Sequence, residues 1–162
     1  MAKSDKANEK TNVMRQLDQA GIAYTPRYYD ASLASGTEVA TALGQSAECV
    51  FKTLVAEANT GEHFVFVIPA PETLSLKKAA KAAGVKSIAM LPQKKLLPLT
   101  GYVHGGCSPV GMNKQFPTVF HETAELFDTI CVSAGKIGAQ VEVNPADLIA
   151  LLGAKTADIT VE

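Results

Sequence analysis

One lysine stands where a hydrophobic strand should have none. In Val50-Phe51-Lys52-Thr53-Leu54-Val55, strand alternation puts Val50, Lys52 and Leu54 on one face and Phe51, Thr53 and Val55 on the other. Both faces are apolar, so the segment reads as a central strand carrying a single ammonium among hydrophobes. Burying an unpaired charge costs several kcal/mol, so such a lysine calls for an anion, a carbonyl-rich pocket or a lowered pKa. The alternative is a strand-end lysine that snorkels to solvent. A second constellation is Gly101-Tyr-Val-His-Gly105-Gly106-Cys107-Ser108-Pro109-Val-Gly111. Adjacent glycines admit positive φ and let a ligand come close to the amides, and successive N–H groups can bind a carbonyl oxygen or an oxyanion. Ser108 adds a hydroxyl beside those amides, and Pro109 stiffens the exit. Neither the P-loop lysine spacing nor the dinucleotide glycine spacing is present. The competing explanation is a tight surface loop.

Cys107 inside that loop suggests a nucleophile with His104 or His121 as its base, although a cysteine is more often a small packing residue. Metal chemistry has little support. Three histidines and three scattered cysteines give no paired ligand spacing beyond His104-x-x-Cys107. Tyr28 and Tyr29 precede Asp30, and adjacent tyrosines on an edge strand usually divide between packing and solvent.

These residues must be positioned by an alternation of helices and strands without internal repeats. Val13, Leu17 and Ala20 recur with helical spacing, which predicts a helix over 5–20 stopped by Gly21. Residues 22–29 read as an edge strand because of Pro26. Ser35-Gly-Thr-Glu38 has capping-box spacing before a helix that stops at Gly44. Residues 49–58 and 63–68 form two strands joined at Asn59-Thr-Gly61. A lysine-rich helix over 73–83, a strand over 85–90 and a helical turn over 93–97 before Pro98 follow. Residues 129–133 and 139–143 read as strands, and Asn144-Pro145 caps a helix over 146–152. The fold class predicted is α+β, one domain with a largely antiparallel or mixed sheet.

The 162 residues are 47% hydrophobic and 19% charged, which suits one domain with its own core and excludes a disordered chain. No apolar stretch approaches the roughly 20 residues of a membrane span. The charged N-terminus lacks a signal core, and three irregularly spaced cysteines fit reduced thiols, so a cytoplasmic location is expected. The net charge of -1 conceals an asymmetry: residues 1–72 carry -3, residues 73–120 carry seven lysines and no acid, and residues 121–162 carry -5. Such a central segment is either a footprint for a polyanion or is neutralised by the acidic ends.

Val-Phe-Lys52-Thr-Leu-Val, Leu76-Lys-Lys-Ala-Ala-Lys-Ala-Ala-Gly84, the loop from Thr100 to Gly111 and Val132-Ser-Ala-Gly-Lys-Ile-Gly138 occur in this order along the chain. With these motifs the sequence resembles the YbaK/EbsC family of aminoacyl-tRNA deacylases, on the side of its Cys-tRNA(Pro)-acting members. The resemblance implies a mixed, barrel-like sheet with surrounding helices, like the editing domain of prolyl-tRNA synthetase, over residues 13–160, with residues 1–12 a flexible segment. It implies a free-standing editing hydrolase acting on the acceptor end of tRNA(Pro) mischarged with cysteine, with prolyl-tRNA synthetase as a candidate partner, and needing neither cofactor nor metal. On this resemblance Lys52 holds the substrate end, Gly105 contacts the aminoacyl group through its backbone, and Tyr29 is a pocket tyrosine. Gly106, Ser108 and Pro109 belong to the substrate-binding loop. The substrate's own thiol attacks its ester carbonyl. Two departures stand out: Gln140 lies near a position where the family commonly carries an aspartate, and Cys107 replaces an aliphatic residue. Hydrolysis of Ala-tRNA(Pro) or another small aminoacyl ester, and non-catalytic binding of tRNA or a synthetase, are the competing functions.

Overall fold

The computed structural model describes residues 9–33 and 35–162. Its elements are α1 (Asn12–Gln19), β1 (Tyr24–Tyr28), α2 (Gly36–Ala42), β2 (Phe51–Ala58), β3 (His63–Pro69), α3 (Leu76–Ala83), β4 (Ile88–Met90), α4 (Leu96–Thr100), β5 (Thr118–His121), β6 (Ile130–Ser133), β7 (Ala139–Val143), α5 (Pro145–Leu152) and β8 (Lys155–Ala157). The strands form two sheets, in the orders β1-β7-β6 and β4-β2-β3-β5-β8. Among the described residues an isolated parallel bridge from Val50, the residue before β2, to Cys131 of β6 links the two sheets. The first sheet is antiparallel; the second is mixed, since β3–β5 and β5–β8 run parallel.

Local chemistry accounts for most boundaries. Ser35 Oγ accepts from the Glu38 amide at 3.2 Å, and Asn144 Oδ1 accepts from the Ala146 amide at 2.8 Å, as their capping positions require. Pro26 sits on β1, an edge strand where its missing N–H costs no ladder bond. The predicted helix over 5–20 is shorter: Thr11 caps it, so Glu9 and Lys10 lie outside, and residues 5–8 are not among those described. Residues 47–49 form a 3₁₀ turn, so β2 starts at Phe51 instead of Cys49. Pro98 does not end the 93–97 turn. It sits in the first turn of α4, where amides have no intrahelical partner and a proline fits.

The main core fills the space between the sheets. Phe51, Val55, Val65 and Val67 face Ile130, Val132, Val141 and Val143 across it, and Val13, Met14 and Leu17 of α1 pack onto the same cluster. On its other face the larger sheet packs Phe64, Phe66 and Ile68 against Ala79 and Ala80 of α3. A small third cluster, Ala40 with Val50 and Cys131, sits under α2. Full burial of each large side chain contributes about 1.5–3 kcal/mol, so the two larger clusters dominate. Among the described residues no helix is long and apolar enough to cross a membrane.

Candidate functional site

Lys52 lies on the face of β2 that also carries Leu54 and Ala56, opposite Ile68 of β3. On that face it falls between the α3 cluster and the α2 cluster, with Val50 on one side and Leu54 on the other. The apolar flanks lower its pKa by desolvation, against a weaker upward pull from Glu72. Among the described residues no carboxylate lies within ion-pairing distance of it. The sequence-based expectation of an unpaired ammonium among hydrophobes therefore holds for this side chain.

The bridge between Val50 and Cys131 sets what lies beside Lys52. Two residues further along, strand alternation puts Lys52 on the side of β2 that follows from Val50 and Ser133 on the side of β6 that carries Cys131, and Ser133 is in register with Gln140 of β7. Beyond Ser133 the chain turns through Gly135-Lys136-Ile137-Gly138. This turn gathers the remaining candidates. Tyr29 donates its amide to the Gly138 carbonyl at 3.0 Å, and an open cleft is lined by Tyr28, Tyr29, Asp30, Ala31, Lys136, Ile137 and Gly138. Gly105, at φ +89°, lies across from Ile137: a methyl placed there would meet the Ile137 side chain at 3.6 Å. Gly106 packs tighter, with the Ile137 nitrogen 3.0 Å from any added methyl.

The two glycines have different tasks. The Gly106 amide donates to Val103 at 3.0 Å and is spent on the turn, contrary to the expectation that both amides face a ligand. Among the described residues, the amides of Gly105, Cys107 and Ser108 have no intramolecular acceptor. Ser108 and Pro109 are buried, and Ser108 Oγ accepts from the Val110 amide at 3.3 Å, so these two residues brace the loop from inside. The Tyr102 hydroxyl, donating to the Val110 carbonyl, adds a second brace.

Cys107 belongs to the main core at 8% exposure, and burial pushes its thiol up to about 12. A thiol so protonated is a poor nucleophile. His121 Nδ1 accepts from the Ile159 amide, and His63 pairs with Glu57 and packs edge-on to Phe116. Both rings have structural partners. Cys107→Ala is expected to leave any activity of the loop unchanged while costing about 1 kcal/mol of stability, measured by turnover and thermal melting; abolished turnover would restore the nucleophile hypothesis.

The 133–138 turn was visible in the sequence only as a motif, not as the hub that touches Tyr29 and the glycine loop. Gln45 gave no signal at all. Its Nε2 donates to Gln140 Oε1 at 3.1 Å from the loop after α2, a contact across 95 residues.

A lysine without a counterion, a glycine loop with free amides and a shared hairpin turn together suit a substrate with an anionic end and a polarised carbonyl. The family model for the aminoacyl-tRNA editing domain matches residues 30–151, which span Tyr29's neighbour Asp30, Lys52, the glycine loop and the 133–138 turn. The chain belongs to the aminoacyl-tRNA editing domain family. A protein of Enterococcus faecalis named as a proposed Cys-tRNA(Pro)/Cys-tRNA(Cys) deacylase, EbsC, is 43% identical, the match covering 99% of this chain and 98% of that one. The crystal structure of a proposed trans-editing enzyme for prolyl-tRNA synthetase superposes with a TM-score of 0.83 at 25% identity, covering 95% of this chain and all of that one. A hypothetical protein, APE2540, shares the fold at a TM-score of 0.86 and 24% identity, covering 93% of this chain. The α+β fold expected from the sequence is thus the editing-domain fold, built from two bridged sheets.

Proposed function

We propose that this protein is a cytoplasmic trans-editing hydrolase that deacylates Cys-tRNA(Pro). Family membership together with the unpaired, partly desolvated Lys52 and the free Gly105 amide supports this reading. Lys52 binds the anionic 3′ end of the tRNA, the Gly105 amide polarises the ester carbonyl, and Tyr29 closes one wall of the cleft. Gly106, Ser108 and Pro109 hold the loop in place. With Cys107 buried, the nucleophile is the substrate's own thiol. Its sulfur forms a bond to the carbonyl carbon, the ester C–O bond breaks, and the thiol proton passes to the departing ribose oxygen; water then opens the thiolactone. Holding the thiol against its own ester supplies the proximity that an intermolecular attack lacks. Editing is needed because a synthetase pocket separates amino acids of similar size by only about 1–3 kcal/mol.

The seven-lysine segment is compatible with a tRNA partner. Lys78 is neutralised by Asp158 at 2.9 Å, an acidic-end contact of the kind expected for the bland alternative. Lys77, Lys81, Lys86, Lys94, Lys95 and Lys114 are exposed and form no ion pair among the described residues. Their contribution to tRNA binding falls as salt rises. Domain limits of 13–160 and a cooperating prolyl-tRNA synthetase complete the proposal.

The decisive test compares hydrolysis of Cys-tRNA(Pro), Ala-tRNA(Pro) and Ser-tRNA(Pro) by the purified protein. Selective loss of cysteine supports thiol-assisted editing. Faster loss of alanine moves the protein to a sister specificity, and no hydrolysis of any of them leaves a binding module.

A further inference from the structure

Tyr102 is tied to both ends of the glycine loop and touches the 133–138 turn. The loop closes at its base, where the Asn113 amide donates to the Thr100 carbonyl at 3.0 Å. The Tyr102 amide donates to Thr100 Oγ1 at 3.1 Å, which fixes the residue at the end of α4. From there its side chain, 9% exposed, reaches the far end of the loop and donates its hydroxyl to the Val110 carbonyl. The amides of Gly105, Cys107 and Ser108, which have no acceptor among the described residues, all lie on the stretch of chain that this strut spans.

Two glycines on separate segments make room for the ring. At Gly135, in the turn, an added methyl would lie 3.1 Å from Tyr102 Cε1 and 3.1 Å from Val13 Cγ2. At Gly111, where the loop ends, it would lie 2.7 Å from the Tyr102 hydroxyl oxygen, 3.3 Å from Asn12 Nδ2 and 3.4 Å from Gln16 Nε2. Asn12, Val13 and Gln16 belong to α1, so loop, turn and N-terminal helix meet on one side chain. A close-packed interior passes displacement on instead of absorbing it. The hydroxyl therefore sets the span from residue 102 to residue 110, and the ring sets the distance from loop to turn. Ile137 and Gly138 of that turn line the open cleft, and Gly105 of the loop faces Ile137. Tyr102 acts on both from behind.

We propose that Tyr102 is a positioning residue for deacylation: its hydroxyl holds the glycine loop in the shape that aims the Gly105 amide at the ester carbonyl, and its ring keeps the loop in place against the 133–138 turn. This inference rests on the aminoacyl-ester reading above and adds to it a residue that touches no substrate. Because the strut works through the loop, its loss falls on turnover and leaves binding through Lys52 intact.

Tyr102→Phe keeps the ring and deletes only the hydroxyl. Val110 is 1% exposed, so water does not readily replace the lost donor. Deacylation of Cys-tRNA(Pro), measured well below the melting temperature of every variant, should show kcat about tenfold lower with KM unchanged. Ile159→Val is the control: Ile159 is fully buried in the α3 cluster, so its truncation weakens the fold without touching the loop and should keep native kcat. A merely structural Tyr102 predicts that both variants melt earlier and both keep native kcat. Native kcat in Tyr102→Phe, a loss carried mainly by KM, or an equal loss of kcat in Ile159→Val overturns the proposal. Amide hydrogen exchange without substrate is read by NMR in the same proteins, with the Gly106 amide, bonded to the Val103 carbonyl, as the reporter inside the loop. Faster Gly106 exchange in Tyr102→Phe than in Ile159→Val supports the strut, and equal exchange overturns it. If the native protein hydrolyses no ester, the functional reading has failed on its own, and the exchange comparison alone decides whether Tyr102 holds the loop.

Discussion

Lys52→Ala is expected to lower kcat/KM for Cys-tRNA(Pro) by about 100-fold or more, the scale of removing a charged contact that strengthens in the transition state. The physical reason is the lack of a competing partner. No carboxylate within the described residues holds Lys52, so its charge is available to the 3′ end of the substrate. The same observation predicts the effect on stability. Desolvation lowers the folded-state pKa of Lys52 below its ordinary 10.5, so the folded protein binds fewer protons than the unfolded chain between those two values. Stability then rises with pH through that window, and the penalty is fully present below it. Lys52→Met keeps the aliphatic stem and removes the penalty, so its melting temperature at neutral pH should equal or exceed the native value while turnover collapses. Activity has the opposite dependence, because the ammonium is the working form: kcat/KM should fall as pH rises through the lowered pKa. Lys52→Arg should abolish that fall, since a guanidinium stays charged. A pH profile corrected for uncatalysed hydrolysis, with thermal melts of each variant, decides the matter. A Lys52→Ala variant with native turnover would leave the lysine as a surface-seeking side chain and nothing more.

Gly106→Ala is expected to cost about 1–3 kcal/mol of stability and about 100-fold in turnover. A methyl at Gly106 would lie 3.0 Å from the Ile137 nitrogen, 3.1 Å from the Lys136 carbonyl carbon and 3.2 Å from its Cα. These neighbours are backbone, so no rotamer change can relieve the contact; the glycine loop or the 133–138 turn must move. Either movement displaces the Gly105 amide relative to Ser133 and Gly138. Gly105→Ala is the informative companion. Its methyl would have 3.6 Å to a side-chain atom of Ile137, ordinary contact, but its φ of +89° is unfavourable for alanine by about 1–2 kcal/mol. Gly105→Ala should therefore lose stability with a smaller loss of turnover than Gly106→Ala. Equal turnover in the two, or a native-like Gly106→Ala, would show that the apposition of loop and turn does not set the site.

Much of this protein was legible along the chain. Lys52 betrayed itself by its type, because an ammonium in an apolar strand is costly whatever the fold. The caps at Ser35 and Asn144 depend on side chains reaching amides two or three residues away, and a local rule sufficed. The hairpin at residues 59–61 and edge strand β1 were likewise local, the latter marked by Pro26. Strands β5 and β8 were not visible. Thr118-Val-Phe-His121 and Lys155-Thr-Ala157 are too short to show a period, and they exist as strands because parallel neighbours supply their hydrogen bonds. The lysine segment was ambiguous for a similar reason, since only the fold could bring Asp158 to Lys78 and leave the others unpaired.

The site divides along the same line. Residue types alone nominated Lys52 and the Gly105-Gly106 loop, because charge and backbone freedom are properties each residue carries with it, whereas the choice of Tyr29 over Tyr28 came from the family resemblance. Which Gly amide is free, whether Cys107 is core or nucleophile, and that Gln45 grips Gln140 were decided by tertiary structure alone. Each depends on a partner far away in sequence: Gly106 on Ile137, Cys107 on the core that closes over it, Gln140 on a side chain 95 residues earlier. Hydrogen bonds and burial at such separations arise only when the two sheets close on each other, and no local pattern encodes which groups that closure brings together.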